Sequence, residues 1–247
     1  MNASDSFHTN NCESRHGSIF YRWNPALLRE FNPDIFSPDF KADHSINRLG
    51  RGAAIMFGYR GLNLVLRHYQ RGGLVRFFNR DLYPFFHLGR TRMWREFDLL
   101  LKLQTWSLPA PIAVAARCQK VGLGFCRGDL ITQTIPDTQT LAEVLQSRPI
   151  GENQWRALGA LLSRFHNAGV YHADLNANNI LLDNAGQFYL LDFDRGEIRA
   201  SNHAWQAANL ARLLRSLHKM QTRFSPFYFE SADWSVLLLA YDAAKPS

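Results

Sequence analysis

Four polar residues stand beside the most apolar runs in the second half of the chain. His172, Asp174 and Asn179 lead into Ile180-Leu181-Leu182, and Asp192 follows Tyr189-Leu190-Leu191. Runs of that kind are buried, so polar side chains at their rims mark a site. Two carboxylates and an amide are groups that take up a proton or hold a hard cation. Taken singly each has a plain explanation, since His-x-Asp is often a turn hydrogen bond and Asn176 to Asn179 are common turn formers. Their combination is harder to dismiss. Zinc is not indicated, because His166, His172 and Asp174 follow no zinc-ligand spacing. His166 falls beside Phe165 on an apolar helix face, which assigns it to the core.

The elements that must position these residues are legible in outline. Trp155, Leu158, Leu161, Leu162 and Phe165 predict a helix ending at Gly169, just ahead of the polar cluster. Another helix is expected from Thr140 to about Gln146, and a further helical pattern from His203 to Lys219. Upstream, residues 46–57 and 61–67 read as a hairpin around a glycine-containing turn. Arg90 to Trp106 carries Met93, Trp94, Phe97, Leu100, Leu101 and Leu103 at helical spacing and stops before Pro109 and Pro111. Strand-like pieces follow at 112–116 and 130–135. The expected organisation is one domain over 1–247. It comprises a lead-in over about 1–18, a small β-rich lobe over about 19–134, a linker near 134–140, and a mostly helical lobe over about 135–247.

Composition excludes several classes. The 247 residues are 46% hydrophobic and 20% charged, with a net charge of +7, so the chain is globular and merely basic. Cys12, Cys118 and Cys126 form neither a disulfide framework nor a metal knuckle, which fits a reducing compartment. The polar start lacks the apolar core of a secretion signal, and no apolar run is long enough to span a bilayer. Neither export nor membrane spanning is expected. From Arg60 to Arg95, eight arginines face one acid, Asp81, so this stretch alone carries the whole +7. Seven aromatics are interleaved with them. Such a mixture suits phosphate-rich partners, whether nucleic acid or an anionic membrane face, and the plain alternative is a solvated basic face over core aromatics.

The blocks His172-Ala173-Asp174-Leu175 to Asn179 and Asp192-Phe193-Asp194 resemble the protein-kinase-like superfamily. Its catalytic loop reads His-x-Asp-x-x-x-x-Asn and its metal-binding Asp opens an Asp-Phe-Gly triplet. The resemblance implies an α+β, bilobal kinase-like fold, with ATP and Mg²⁺ as cofactors. It implies Asp174 as the catalytic base, Asn179 and Asp192 as the metal ligands, and His172 as a structural anchor. Gly50 and Gly52 resemble a phosphate-covering loop, and Glu96 the acid that orients a phosphate-binding cation. At that cation's position stands Arg67 in place of the usual lysine, and Asp194 replaces the triplet's glycine. An arginine is not an interchangeable point charge, so Arg67 departs from the pattern in chemistry as well as in identity.

Only 55 residues follow Asp192, which leaves no room for a long activation segment or a protein-docking platform. From about Gly50 to Tyr241 the chain is similar to the bacterial lipopolysaccharide-core kinases, the branch that phosphorylates 3-deoxy-D-manno-octulosonic acid (Kdo). Residues 65–75, Arg95-Glu96-Phe97, residues 128–132, 172–182 and 191–196 carry the likeness. It implies transfer of phosphate from ATP to a hydroxyl of Kdo on the Kdo-lipid A precursor. It also implies peripheral attachment to the anionic cytoplasmic face of the inner membrane, and no nucleic-acid partner. The alternatives are a kinase-like enzyme acting on heptose, another small molecule or a protein, and a nucleic-acid-binding protein built on the basic segment.

Overall fold

The computed structural model describes residues 12–37, 47–49, 54–69 and 81–245. The chain forms two compact units. Unit 1 comprises Met1–Asp98 and Ile112–Thr134, and unit 2 comprises Leu99–Pro111 and Ile135–Ser247. A β-rich first part and a mainly helical second part make the fold α+β.

Unit 1 is built on an antiparallel sheet. Its strands are β1 (Cys12–His16), β2 (Ile19–Trp23), β3 (Asn47–Leu49), β4 (Ala54–Tyr59), β5 (Leu62–His68), β6 (Tyr83–Pro84), β7 (Ala113–Val121) and β8 (Phe125–Gln133). The order across the sheet is β1-β2-β7-β8-β5-β4-β3, with β6 also paired to β8. The expected hairpin is β4–β5, in which Tyr59 faces Leu62 across a two-residue turn at Arg60-Gly61. Both turn residues have positive φ, as a turn matched to strand twist requires. Leu64, Phe57, Val114 and Ile131 meet Tyr21, Leu28, Ile35 and Phe36 in the core. Helix α1 (Arg92–Thr105) begins in this unit, and Gly128 on β8 lets it come close. A Cβ there would lie 1.6 Å from Met93 Cε, so the Met93 side chain would have to move aside. That approach sets the position of Glu96, one turn further along α1.

Two expectations are corrected here. Residues 12–16, assigned to the lead-in, are paired strand, with Cys12 facing Trp23. The stretch expected as linker contains β9 (Thr138–Thr140), paired with β11 (Ile180–Asp183). The strand-like pieces at 112–116 and 130–135 also prove to be parts of the longer β7 and β8.

In unit 2, α2 (Leu141–Ser147), α3 (Glu152–Asn167), α4 (His203–Arg223) and α5 (Ser231–Ala243) surround the short strands β10 (Val170–Tyr171), β11, β12 (Phe188–Leu190) and β13 (Glu197–Ile198). Gly169 ends α3 with φ +75°, and a Cβ at this position would sit 2.4 Å from the Arg199 carbonyl oxygen. The Arg199 N–H donates to the Gly169 carbonyl at 2.8 Å, pinning β10 beside β13. The polar cluster starts two residues after β10 begins.

Candidate active site

In unit 2 the loop from His172 to Asn179 is held by hydrogen bonds from outside it. His172 is buried; its Nε2–H donates to the Leu191 carbonyl at 2.7 Å, and its Nδ1 accepts the Asp174 N–H at 3.2 Å. Those two partners fix one neutral tautomer, and burial lowers the imidazole pKa, so the ring is a strut rather than a base. Its backbone is clamped as well. Buried Asn209 on α4 accepts the His172 N–H at 3.2 Å and donates to the His172 carbonyl at 3.0 Å. Phe193 packs against the imidazole in a tilted arrangement, with ring centroids 4.9 Å apart.

The functional side chains are drawn together around this strut. Asn179 Nδ2 donates to the Asp174 carbonyl at 2.9 Å, and the Leu191 N–H donates to the Asn179 carbonyl at 2.8 Å. Asp174, Asn179 and the residue before Asp192 thus form one hydrogen-bonded run. The Asp174 carboxylate is exposed, with Asn176 Nδ2 at 3.0 Å from Oδ2 and Arg212 Nη1 at 3.4 Å from Oδ1. With its nitrogen committed, Asn179 offers Oδ1 as its ligand atom. An amide oxygen and the Asp192 carboxylate are hard donors of the kind Mg²⁺ takes, the rest of its shell being water and phosphate. The donor set therefore fits that ion. Among the described residues no three His, Cys, Asp or Glu side chains converge as a self-sufficient metal cluster.

Asp192 itself has φ +59°, a left-handed conformation uncommon outside glycine. The chain then turns tightly, with the Gly196 N–H donating to the Phe193 carbonyl at 2.7 Å. The second left-handed residue of this turn is Arg195, not Asp194. Position 194 therefore has no conformational need of the glycine that the kinase triplet carries there.

Unit 1 supplies a separate cluster. Arg67 on β5 forms an ion pair with Glu96 on α1 through Nη2 and Glu96 Oε1. Glu96 is only 3% exposed, and its other oxygen accepts the Tyr69 hydroxyl. Arg67 Nη2 also lies 3.4 Å from Tyr69 Oη. Tyr69 is buried, and burial together with the Glu96 charge raises its pKa, so it remains a protonated donor. Next along β5, His68 Nδ1 lies 2.6 Å from Asp129 Oδ1, and Arg117 Nε donates to Asp129 Oδ2 at 2.8 Å. The hydrogen bond to Asp129 pushes the His68 pKa up.

Of the residues singled out from the sequence, Asp174, Asn179 and Asp192 are brought together in unit 2, and Arg67 and Glu96 in unit 1. Gly50 and Gly52 lie outside the described residues, as does 70–80 of the basic segment. Within the rest of that segment Tyr69, Tyr83 and Trp94 are buried, whereas Phe86 is exposed. His166 packs in the core against the rings of Trp205 and Tyr241, as its helix face implied. Sequence reasoning missed Asn209, Arg212 and Tyr69. The first two are polar positions within an otherwise readable helix, and only their distance in sequence from the loop hides them. Tyr69 offered a signal, since it stands two residues from Arg67, the spacing that puts side chains on one face of an extended chain.

Comparison with known proteins places the chain. Residues 43–241 match the lipopolysaccharide kinase (Kdo/WaaP) family. A 3-deoxy-D-manno-octulosonic acid kinase of Actinobacillus succinogenes is 37% identical over 239 residues, covering 93% of this chain and 98% of that one. The protein of the same name from Haemophilus influenzae is 42% identical over 186 residues, covering 73% and 76%. Its counterpart in Xylella fastidiosa is 38% identical, covering 85% and 84%. Among solved structures, WaaP in complex with acyl carrier protein aligns with a TM-score of 0.54 at 17% identity, over 83% of this chain and 80% of that one. That likeness speaks to the fold.

Proposed function

Because the chain belongs to the lipopolysaccharide kinase (Kdo/WaaP) family, we propose that it is an ATP-dependent phosphotransferase whose acceptor is a hydroxyl of Kdo on the Kdo-lipid A precursor. The observation that carries this reading is the hydrogen-bonded run joining Asp174, Asn179 and Leu191-Asp192, which gathers a base and two oxygen ligands in one loop system. Asp174 receives the proton of the acceptor hydroxyl as its oxygen bonds to the γ-phosphorus and the bond to the ADP oxygen breaks. Asn179 Oδ1 and the Asp192 carboxylate are the ligands for Mg²⁺, which offsets charge on the nucleotide phosphates when bound. Arg67, steered by Glu96 and Tyr69, holds phosphate oxygens through its guanidinium fork. Gly50 and Gly52 join this assignment on resemblance alone.

The same reading puts the enzyme at the cytoplasmic face of the inner membrane as a peripheral protein. A lipid-linked acceptor and the arginine-rich stretch over 60–95 support that. No helix among the described residues is long and apolar enough to cross a membrane. The deciding experiment offers radiolabelled ATP and Mg²⁺ with the Kdo-bearing lipid A precursor, beside the same precursor lacking Kdo. Label in the first product alone supports the proposal, whereas equal labelling of both, or of neither, refutes it.

A further inference from the structure

We propose that one corner of unit 1, formed by Phe86, Leu123 and Phe125, is the surface that enters an anionic bilayer, an inference that rests on the acceptor being lipid-linked. Leu123 and Phe86, 98% and 79% exposed, are the barest large apolar side chains among the described residues, and Phe125 beside them is 45% exposed. They are also neighbours. Pro84 pairs with Phe125 across β6 and β8, and the Phe85 N–H donates to the Gly124 carbonyl at 2.8 Å. Leu123 stands at the tip of the β7–β8 hairpin beside that bond. Single exposed apolar residues are ordinary, but three gathered where the β7–β8 turn meets the end of β6 mark a surface made for apolar contact.

Charge on the surrounding backbone identifies the partner. The β1–β2 hairpin joins this corner through the Lys120 N–H, which donates to the Ser18 carbonyl at 2.9 Å. The adjoining segments 14–20, 82–90 and 118–128 contain no aspartate or glutamate, yet carry Arg15, Arg90 and Lys120, together with Arg127, whose charge is matched by Asp81. Lys120 Nζ lies over the Phe85 ring at 4.3 Å and over Phe20 at 5.2 Å, so its charge sits beside the apolar tip. Nearby acids are occupied, Asp81 by Arg127 at 2.7 Å and Glu13 by Arg22 at 3.4 Å. An apolar point with a basic collar is the arrangement that seats in a bilayer interface bearing anionic headgroups.

Vesicle sedimentation tests this with the full-length chain. The probes are phosphatidylglycerol–phosphatidylcholine vesicles and pure phosphatidylcholine vesicles, at low and high salt. The parent is expected on the anionic vesicles only, with a fraction persisting at high salt because apolar insertion is not screened. Phe86→Ser with Leu123→Ser is expected to lower that partition roughly tenfold or more, the loss following from two apolar side chains left in water. Arg15→Gln with Lys120→Gln is expected to weaken binding at low salt alone. Transfer to detergent-dispersed acceptor should be parental in the serine variant, which shows it folded. Binding of the parent with equal binding of the serine variant overturns the assignment of the corner while leaving membrane attachment standing. Failure of the parent to bind overturns both, as does self-association of the parent that the serine substitutions abolish without any vesicle binding.

Discussion

Acidification is expected to unfasten unit 2 through His166. This histidine is buried, with Nδ1 2.8 Å from the Tyr241 hydroxyl and the Trp205 ring at its edge. Burial holds its pKa at about 4, against 6.5 for a free imidazole. The folded value is the depressed one, so as pH falls below about 6.5 the unfolded chain takes up the proton first. The stability His166 confers is complete above that pH and is lost progressively down to about pH 4. At about 1.4 kcal/mol per pH unit, a gap of this size is worth roughly 2–4 kcal/mol, a large part of a typical domain's stability. The loss reaches the active site through α4, which carries both Trp205, edge-on to the His166 ring, and Asn209, the clamp on the His172 backbone. His166→Gln keeps polar contacts and removes the titration. Urea unfolding followed by tryptophan fluorescence, at several values between about pH 7 and pH 4, should show the parent losing roughly 2–4 kcal/mol more than the glutamine variant. Parallel pH curves for the two proteins would refute the reasoning, since other acid-titrating groups are common to both.

Four further outcomes follow from the geometry. Asp174→Asn keeps the shape of the loop and removes the base, so transfer should drop about 10²–10⁴-fold with nucleotide binding retained; near-parental turnover would show that the carboxylate takes no proton. Asp192→Ala should move the Mg²⁺ titration of nucleotide binding to higher concentration, and an unchanged titration would remove Asp192 from the ligand set. Tyr69→Phe deletes a donor to buried Glu96, so it should cost about 1.5–3 kcal/mol of stability and raise the KM for ATP. Arg67→Lys should be defective too, because an ammonium lacks the planar fork. Thermal melts and ATP kinetics of both variants check the pair, and parental behaviour of Tyr69→Phe would make its hydroxyl a bystander.

Most of what was legible in the sequence is local. The apolar face of α3, the stop at Gly169 and the spacing of Asp174, Asn179 and Asp192 could be read because each depends on residues near one another along the chain. Strand β1 could not, since Cys-Glu-Ser-Arg-His offers no apolar alternation and the strand lies exposed at the sheet edge; only its pairing with β2 makes it a strand. Strand β9 is hidden in the same way, its Thr-Gln-Thr being extended because β11 accepts it. The partners that set the site's state are also remote, with Asn209 lying 37 residues from His172. The two departures from the kinase pattern show the limit from the other side. Arg67 differs from lysine in identity, yet its guanidinium reaches both Glu96 and the Tyr69 hydroxyl, so the substitution comes with a second neighbour for the cation. Asp194 differs from glycine, yet the left-handed residues of this turn are Asp192 and Arg195, so position 194 itself is unstrained. In each case the pattern names the position, and the fold decides which side chains that position can hold.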